Sequence, residues 1–267
     1  MQVKCEKFDC PLDLKVPYDW AKLSSSKTIE YLSENINCPD EAAIRSWVMS
    51  LKYTHPTYGI SQKLERDAAA REVRDHINSI LNERKIAIAD AQFMLIGANN
   101  CYELHSFPGG WRPYNVHALD PAQQALAVAR AEFDGINTYR GLIEQKEPFR
   151  SDAGKQLPDN SIDVCIAFRS LQSSKLSLWA ALGKIRDRIL KPNGTLLISL
   201  PKVTINYLGN RMRGVIKEGS LDVDFSKDAA EHIAKELTAL NSNYYTNVRL
   251  FYGGDTSIEY YIVAQAT

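Results

Sequence analysis

Residues 157–168, LPDNSIDVCIAF, combine a turn with a run of apolar and β-branched residues that is typical of a buried strand. Residues 174–190, SKLSLWAALGKIRDRIL, follow with an apolar stripe at helical spacing, and KPNG at 191–194 ends this helix. Another apolar run, TLLISLP at 195–201, comes next. The stretch therefore predicts a strand, a helix and a second strand, the unit from which parallel sheets are built.

The same alternation of strands and helices continues on both sides of this stretch. Further strands are predicted at AQFMLIG (91–97), NVHALD (115–120), INTYRG (136–141), NVRLFYG (247–253) and IEYYIVAQ (258–265), with helices over 121–133 and 226–243. The last two strands are separated by a short turn and are expected to form a hairpin. Alternating elements of this kind form right-handed crossovers, so we expect an α/β fold with a doubly wound, mostly parallel sheet.

The N-terminal third of the chain has a different, helical pattern. Residues 39–52 and 62–85 both carry apolar side chains at helical spacing, and a Pro/Gly loop separates the two segments. We therefore divide the chain into a helical N-terminal extension or lid over residues 1–90 and an α/β domain over residues 91–267.

Composition narrows the classes of function. Lys and Arg number 32, as do Asp and Glu, and the formal net charge is zero. A balanced charge disfavours a nucleic-acid partner without excluding one, because phosphate contacts require a surplus of basic residues. The sequence has no apolar run long enough to span a membrane and no leader-like start, and its five cysteines include no CxxC pair. We expect a cytoplasmic protein without a membrane span.

The carboxyl ends of the predicted parallel strands define the expected ligand edge. Gly97 ends the first of these strands within LIGANNCYEL (95–104), and a glycine there lets backbone amides approach a nucleotide-like ligand. Asn99 also suits such a turn, since asparagine tolerates left-handed backbone. The same pattern is compatible with an ordinary strand-to-helix turn.

Asp120 lies at the end of the next strand, 23 residues after Gly97. A carboxylate at this distance is placed to accept hydrogen bonds from both hydroxyls of a ribose. Because Pro121 follows it, Asp120 is also suited to cap a helix, and the two roles are compatible.

Three segments of the chain resemble the class I S-adenosylmethionine-dependent methyltransferases: VHALDPAQQALAVAR (116–130), LPDNSIDVCIAF and LKPNGTLLISLP (190–201). The resemblance covers residues 91–201 by motif and reaches residue 265 by the terminal hairpin. It implies a seven-stranded sheet with an antiparallel last strand, and it makes residues 91–267 a methyltransferase-like cofactor-binding domain. It also implies S-adenosylmethionine as cofactor and methyl transfer as activity.

The resemblance also implies a set of cofactor-binding residues. By position these are Gly97, Asn99, Cys101, Asp120, Leu142, Ile143 and Phe168. This chain departs from the family pattern at Leu95, where the family usually has an acid, and at Asn99 and Cys101, which replace glycines. The acid that often contacts adenine would fall near Leu142, so Glu144 or Asp152 must substitute for it or the contact is absent.

The sequence offers three candidate catalytic residues, fewer than the candidates for cofactor binding. Arg169 follows the predicted strand 161–168 and is placed to face a substrate, whereas His55 and Tyr58 lie in the N-terminal loop that could cover the site. The basic segment 201–217 is compatible with an anionic acceptor or with a solvated helix face. No histidine has metal-ligand spacing to a cysteine or acid, so we expect no metal site.

Three functions remain to be separated. The first is methyl transfer to a small-molecule acceptor. The second is a catalytically silent methyltransferase-fold protein that serves as a binding partner or activator, which the altered glycine turn favours. The third, a nicotinamide-dependent enzyme, requires a GxGxxG turn that this sequence lacks. A protein partner or a homodimer also remains open.

Overall fold

The structure is a computed structural model, and it describes residues 3–4, 36–37, 60–143, 145–171, 178–201, 231, 234–235, 237–238, 245–252 and 259–267. The predicted helix 39–52, the loop that carries His55 and Tyr58, Glu144, most of the predicted helix 226–243 and nearly all of the basic segment 201–217 lie outside these residues.

The described strands form one large sheet and one small ladder. A two-residue parallel pair joins β1 (Val3–Lys4) to β2 (Ile36–Asn37). The large sheet contains β3 (Phe93–Ile96), β4 (Val116–Asp120), β5 (Asn137–Arg140), β6 (Ile162–Phe168), β7 (Leu190–Pro201), β8 (Tyr245–Phe251) and β9 (Glu259–Ala266).

The order of strands in the large sheet is β5-β4-β3-β6-β7-β9-β8. Strands β3 to β7 pair in parallel, and β9 runs antiparallel to both of its neighbours, β7 and β8. The doubly wound, mostly parallel seven-stranded sheet with an antiparallel last strand is therefore confirmed.

Helices connect and cover these strands. The described helices are α1 (Ile60–Arg84), α2 (Gln123–Glu132) and α3 (Leu178–Lys184), which continues as a π-helical turn over Ile185–Ile189. The crossover between β3 and β4 contains only two short 3-10 helices, Tyr102–Ser106 and Pro113–Asn115.

The start of β7 differs from the sequence prediction. The helix ends at Ile189, one residue before its predicted end, and the strand begins at Leu190 and includes the KPNG segment that was predicted to precede it. The pairing with β6 shifts between Ile162 and Val164, and Asn193 has a φ of 62°. An irregularity of this kind lets a turn-forming segment stay within a strand.

Alternating side chains of the strands feed two separate cores. In β3, Phe93 and Leu95 pack on the face that α1 covers, whereas Met94 and Ile96 pack on the face that α3 covers. The apolar stripe of α1 contributes fully buried side chains to the first face, among them Ile77. Both faces of the sheet are therefore covered, as a parallel sheet requires.

A buried carboxylate fastens α1 to the amino end of the sheet. Asp163, near the start of β6, is 4% exposed and forms ion pairs with Arg84 at 3.5 Å and with Lys191 at 2.8 Å. Its Oδ2 also accepts a hydrogen bond from the Gln92 backbone N–H at 3.0 Å. The last turn of α1 thus shares contacts with the sheet, while the division of the chain at residue 90 remains a prediction.

His117 makes stability depend on pH. Its Nδ1 lies 2.9 Å from the Tyr139 hydroxyl, and burial lowers the pKa of the imidazole from 6.5 to about 4. The unfolded chain therefore takes up a proton first as pH falls, so the stabilisation is complete above pH 6.5 and is lost toward pH 4. Between pH 6.5 and pH 4 we expect the free energy of unfolding to fall by at most about 3 kcal/mol because of His117. The His117→Gln variant should lack this pH-dependent loss, and urea unfolding of both proteins across this pH range measures it.

Comparing wild type with His117→Gln isolates the contribution of His117. Burial also lowers the pKa of His76, but His76 is present in both proteins and contributes equally to each. Parallel pH profiles for wild type and variant would show that His117 does not carry this effect.

Candidate functional site

The turn after β3 has left-handed backbone at alternate positions. Gly97, Asn99 and Cys101 have φ angles of 63°, 52° and 57°. The Ala98 N–H donates to the Leu119 carbonyl of β4 at 3.0 Å, and within the turn the Cys101 N–H donates to the Ala98 carbonyl at 2.8 Å. The three positions at which the sequence analysis placed glycine equivalents therefore all have the backbone that glycine favours, although two carry other residues.

Gly97 also allows a close approach between two loops. A Cβ at this position would collide with the Cβ of Ser170, which lies just after β6. Because β3 and β6 are neighbours in the sheet, the missing side chain lets their carboxyl-terminal loops touch. Glycine is therefore required here both for its backbone angle and for its size.

Asp120 joins this turn to the next strand. Its carboxylate is 1% exposed, and Oδ2 accepts a hydrogen bond from the Asn99 N–H while Oδ1 accepts one from the Ala122 N–H, both at 2.8 Å. Helix α2 begins at Gln123 with Ala122 as its N-cap residue, so Asp120 braces the turn and is not the N-cap.

Leu142 and Ile143 lie beside Asp120 after β5. The Gly141 N–H donates to the Asp120 carbonyl at 3.1 Å, Leu142 is half-buried, and Ile143 is buried in the core. Asp152 pairs with Arg130, so its carboxylate is already engaged by a cation on α2.

Arg169 has a partner that the sequence analysis missed. Its Nε donates to Oε1 of Glu259, the first residue of β9, at 2.6 Å, and its backbone N–H donates to the Ser199 hydroxyl at 3.1 Å. Glu259 is fully buried; burial raises its pKa, while the Arg169 charge and the Ser199 hydroxyl oppose that rise. The signal in the sequence was an acid at the start of an otherwise uncharged apolar strand.

Arg169 is also constrained by its backbone and by Phe168. Its φ is 50°, which is uncommon for a residue with a side chain, and its guanidinium lies 5.5 Å from the centroid of the half-buried Phe168 ring. Strained backbone of this kind is often found at functional sites.

Three buried polar atoms at this edge lack a hydrogen-bond partner among the described residues: Asn100 Oδ1, Gln123 Oε1 and Ser170 Oγ. They follow β3, β4 and β6 respectively: Asn100 and Ser170 lie in loops and Gln123 is the first residue of α2, all at the carboxyl end of the sheet. A buried polar group without a partner is costly, and most such groups in proteins are paired. The edge therefore fits a polar ligand with several hydrogen-bonding groups.

Three residues proposed from the sequence, His55, Tyr58 and Glu144, lie outside the described residues. In the part of the chain that the structure describes, no cluster of three or more His, Cys, Asp or Glu side chains is arranged to hold a metal ion. No described helix has the length and apolar character that crossing a membrane requires.

Comparison with known proteins identifies the domain. Residues 96–198 match the family model described as a methyltransferase domain, a segment that contains Gly97, Asp120 and Arg169. This segment is therefore similar to methyltransferase domains. The sheet order and strand directions around them are those that the resemblance to class I S-adenosylmethionine-dependent methyltransferases implies. No curated protein matches the sequence.

Solved structures share the fold at low sequence identity. The CurJ carbon methyltransferase has a TM-score of 0.59 at 15% identity, and the match covers 94% of this chain and 68% of that one. The citrinin polyketide synthase CMeT domain has a TM-score of 0.56 at 16% identity, with 92% and 64% covered. The DszA carbon methyltransferase has a TM-score of 0.53 at 14% identity, with 90% and 69% covered. This chain thus spans about two thirds of each.

Proposed function

We propose that this chain transfers the methyl group of S-adenosylmethionine to a small-molecule acceptor. The observation that carries the proposal is the junction of the left-handed turn at Gly97 with the Asp120 carboxylate, inside the segment that matches the methyltransferase family. S-adenosylmethionine is the cofactor. The proposal includes a cytoplasmic location, and the free thiol of Cys165 agrees with it.

In this proposal, different cofactor-binding residues contact different parts of S-adenosylmethionine. Asp120 binds the ribose hydroxyls, and Leu142 and Ile143, which follow β5, lie on the adenine side of it. The turn with Asn99 and Cys101 supplies backbone groups, and Phe168 flanks the methionine part. The three buried polar atoms without partners at this edge support a polar ligand of this size.

The reaction needs alignment more than acid–base chemistry from the protein. The cofactor supplies an activated methyl group, so the chain must orient the acceptor and exclude water. Arg169 is held at the acceptor side by Glu259 and Ser199. A guanidinium remains charged at all physiological pH values, so Arg169 orients an acceptor and does not remove its proton.

Support for a small acceptor comes from the balanced charge, with 32 basic and 32 acidic residues. Binding to a nucleic acid generally requires a basic surface. The N-terminal extension, residues 1–90, would cover this acceptor as a lid, with His55 and Tyr58 as further candidates for contact.

A second candidate function is a catalytically silent domain that binds or activates a partner. The observations that favour it are Leu95, where the family usually has an acid, and the burial of Asp120 with hydrogen bonds to two backbone amides of the chain itself. In that case the carboxylate would serve the turn alone.

Calorimetric titration with S-adenosylmethionine and S-adenosylhomocysteine separates the two functions. We expect saturable heat with both ligands, and no heat at millimolar ligand would favour the silent domain. Methyl transfer is then measured as the amount of S-adenosylhomocysteine that forms when the protein is incubated with small-molecule, RNA or protein fractions of a cell extract. We expect product with the small-molecule fraction, and product with the RNA or protein fraction alone would contradict the proposed acceptor class.

A further inference from the structure

We propose that Tyr102 is a positioning residue: by binding Asp67 of α1, it holds the turn after β3 in its left-handed form. The inference rests on the proposed function, in which this turn binds S-adenosylmethionine. It concerns the feature in which the chain departs from the family pattern, namely the side chains at Asn99 and Cys101 where the resemblance implies glycine.

The backbone of the turn is costly for a residue with a side chain. Cys101 has a φ of 57° and a ψ of 32°, which is the left-handed conformation. A Cβ in this conformation comes too close to the following carbonyl oxygen, whereas glycine adopts it without that cost. Asn99, with a φ of 52°, is of a residue type that tolerates it better. Strained backbone persists only where surrounding contacts hold it, so Cys101 requires such contacts.

Different hydrogen bonds hold the two left-handed residues. The Asp120 carboxylate accepts from the Asn99 N–H at 2.8 Å and braces the first of them. The second, Cys101, is followed directly by Tyr102, whose hydroxyl donates to Oδ1 of Asp67 at 2.6 Å. A hydroxyl bound to a carboxylate at this distance forms one of the stronger kinds of hydrogen bond. Because Tyr102 is fixed in space, the backbone of its neighbour Cys101 has less freedom to relax.

Asp67 is a firm anchor because α1 is held independently of the turn. At the end of the helix, Arg84 pairs with the buried Asp163 at 3.5 Å. Toward its start, the Ala69 carbonyl accepts a hydrogen bond from the Tyr261 hydroxyl of β9 at 3.3 Å. The acceptor that Asp67 offers to the turn therefore stays in place when the turn itself changes conformation.

A turn that is not held leaves the conformation that binds the cofactor. Without the Tyr102 hydroxyl, the strain at Cys101 drives part of the population out of the left-handed form. The apparent dissociation constant then rises in inverse proportion to the fraction that stays competent to bind. With glycine at position 101 there is no such strain to release, so the effect of the hydroxyl depends on which residue occupies position 101.

Calorimetric titration with S-adenosylhomocysteine tests this dependence. Tyr102→Phe should weaken binding about tenfold relative to wild type, as for one lost hydrogen bond to a charged group. In a Cys101→Gly background, the same substitution should change the affinity less than about twofold. Asp67→Ala should reproduce the loss and add nothing to it when combined with Tyr102→Phe. Asp67→Asn, which keeps an acceptor oxygen, should retain the affinity.

A tyrosine hydroxyl at the opposite end of the sheet provides the matched control. Tyr245 pairs with Ala266 at the end of β9, and its buried hydroxyl donates to the Leu182 carbonyl at 2.7 Å. Tyr245→Phe should lower the unfolding temperature and leave the affinity for S-adenosylhomocysteine unchanged. Thermal unfolding without ligand shows whether each variant is folded.

The results that would overturn the inference differ from those that would overturn the proposed function. Wild-type affinity in Tyr102→Phe, or an equal loss in both backgrounds, would mean that the hydroxyl does not act through strain at position 101, and the proposed function would stand. If Cys101→Gly does not fold, additive losses for Tyr102→Phe and Asp67→Ala would overturn the inference instead. If wild type does not bind S-adenosylhomocysteine, the proposed function is wrong and this role of Tyr102 is wrong with it.

Discussion

Gly97→Ala should destabilise the fold by about 2–5 kcal/mol, the sum of a left-handed backbone cost and an overpacking cost. The φ of 63° disfavours any Cβ, and the new methyl group would collide with Ser170. The affinity for S-adenosylhomocysteine should fall roughly tenfold or more, since 1.4 kcal/mol of lost ligand interaction has this effect. Chemical denaturation and calorimetric titration measure the two quantities.

Substitutions at two other glycines separate the cost of the left-handed backbone from the cost of the collision with Ser170. Gly154 has a φ of 76° but nothing within 4 Å of an added Cβ, so Gly154→Ala should cost only the backbone term, about 1–2 kcal/mol. Gly109 likewise has open space and no positive φ, so Gly109→Ala should change stability by less than about 0.5 kcal/mol. A Gly97→Ala protein no less stable than Gly154→Ala would contradict the close approach of Ser170.

Asp120→Ala should weaken S-adenosylhomocysteine roughly 5- to 150-fold through the loss of charge-assisted hydrogen bonds to the ribose. It should also cost about 1–3 kcal/mol of stability for each buried amide left without an acceptor. The two amides are those of Asn99 and Ala122. Asp120→Asn keeps one acceptor oxygen and should show smaller losses, measured by calorimetry and urea unfolding.

A buried carboxylate at the opposite edge of the sheet provides the control. Asp163 is 4% exposed and accepts a hydrogen bond from a backbone N–H, as Asp120 does, but it lies near the start of β6. Asp163→Asn should therefore lower stability and leave ligand affinity unchanged. An Asp120→Ala protein with wild-type affinity would mean that this carboxylate serves the turn alone.

The sequence predicted the sheet well because its signals are local. The apolar runs that end at Gly97, Asp120 and Phe168 each contain their own strand and turn information, and all three strands appear as expected. The parallel arrangement follows from their alternation with helices. The positive φ angles of Asn99 and Cys101 agree with the positions at which glycines were sought.

Contacts between distant segments were not predictable in the same way. The ion pair of Arg169 with Glu259 joins residues 90 positions apart, and only the inserted position of β9 in the sheet brings them together. The position of Arg169 after β6 was predictable from the sequence, whereas the side chains that hold it were not. Likewise, neither the collision that excludes a Cβ at Gly97 nor the unpartnered oxygen of Asn100 has a local sequence signal.

The position of Glu259 affects how the edge of the sheet is completed during synthesis. The segment that matches the family model ends at residue 198, whereas the carboxylate that neutralises Arg169 is supplied 61 residues later. The buried ion pair cannot form until the final strand has been synthesised, because Glu259 is the first residue of β9. The carboxyl end of the sheet is therefore complete only when the last strand of the chain has been inserted between β7 and β8.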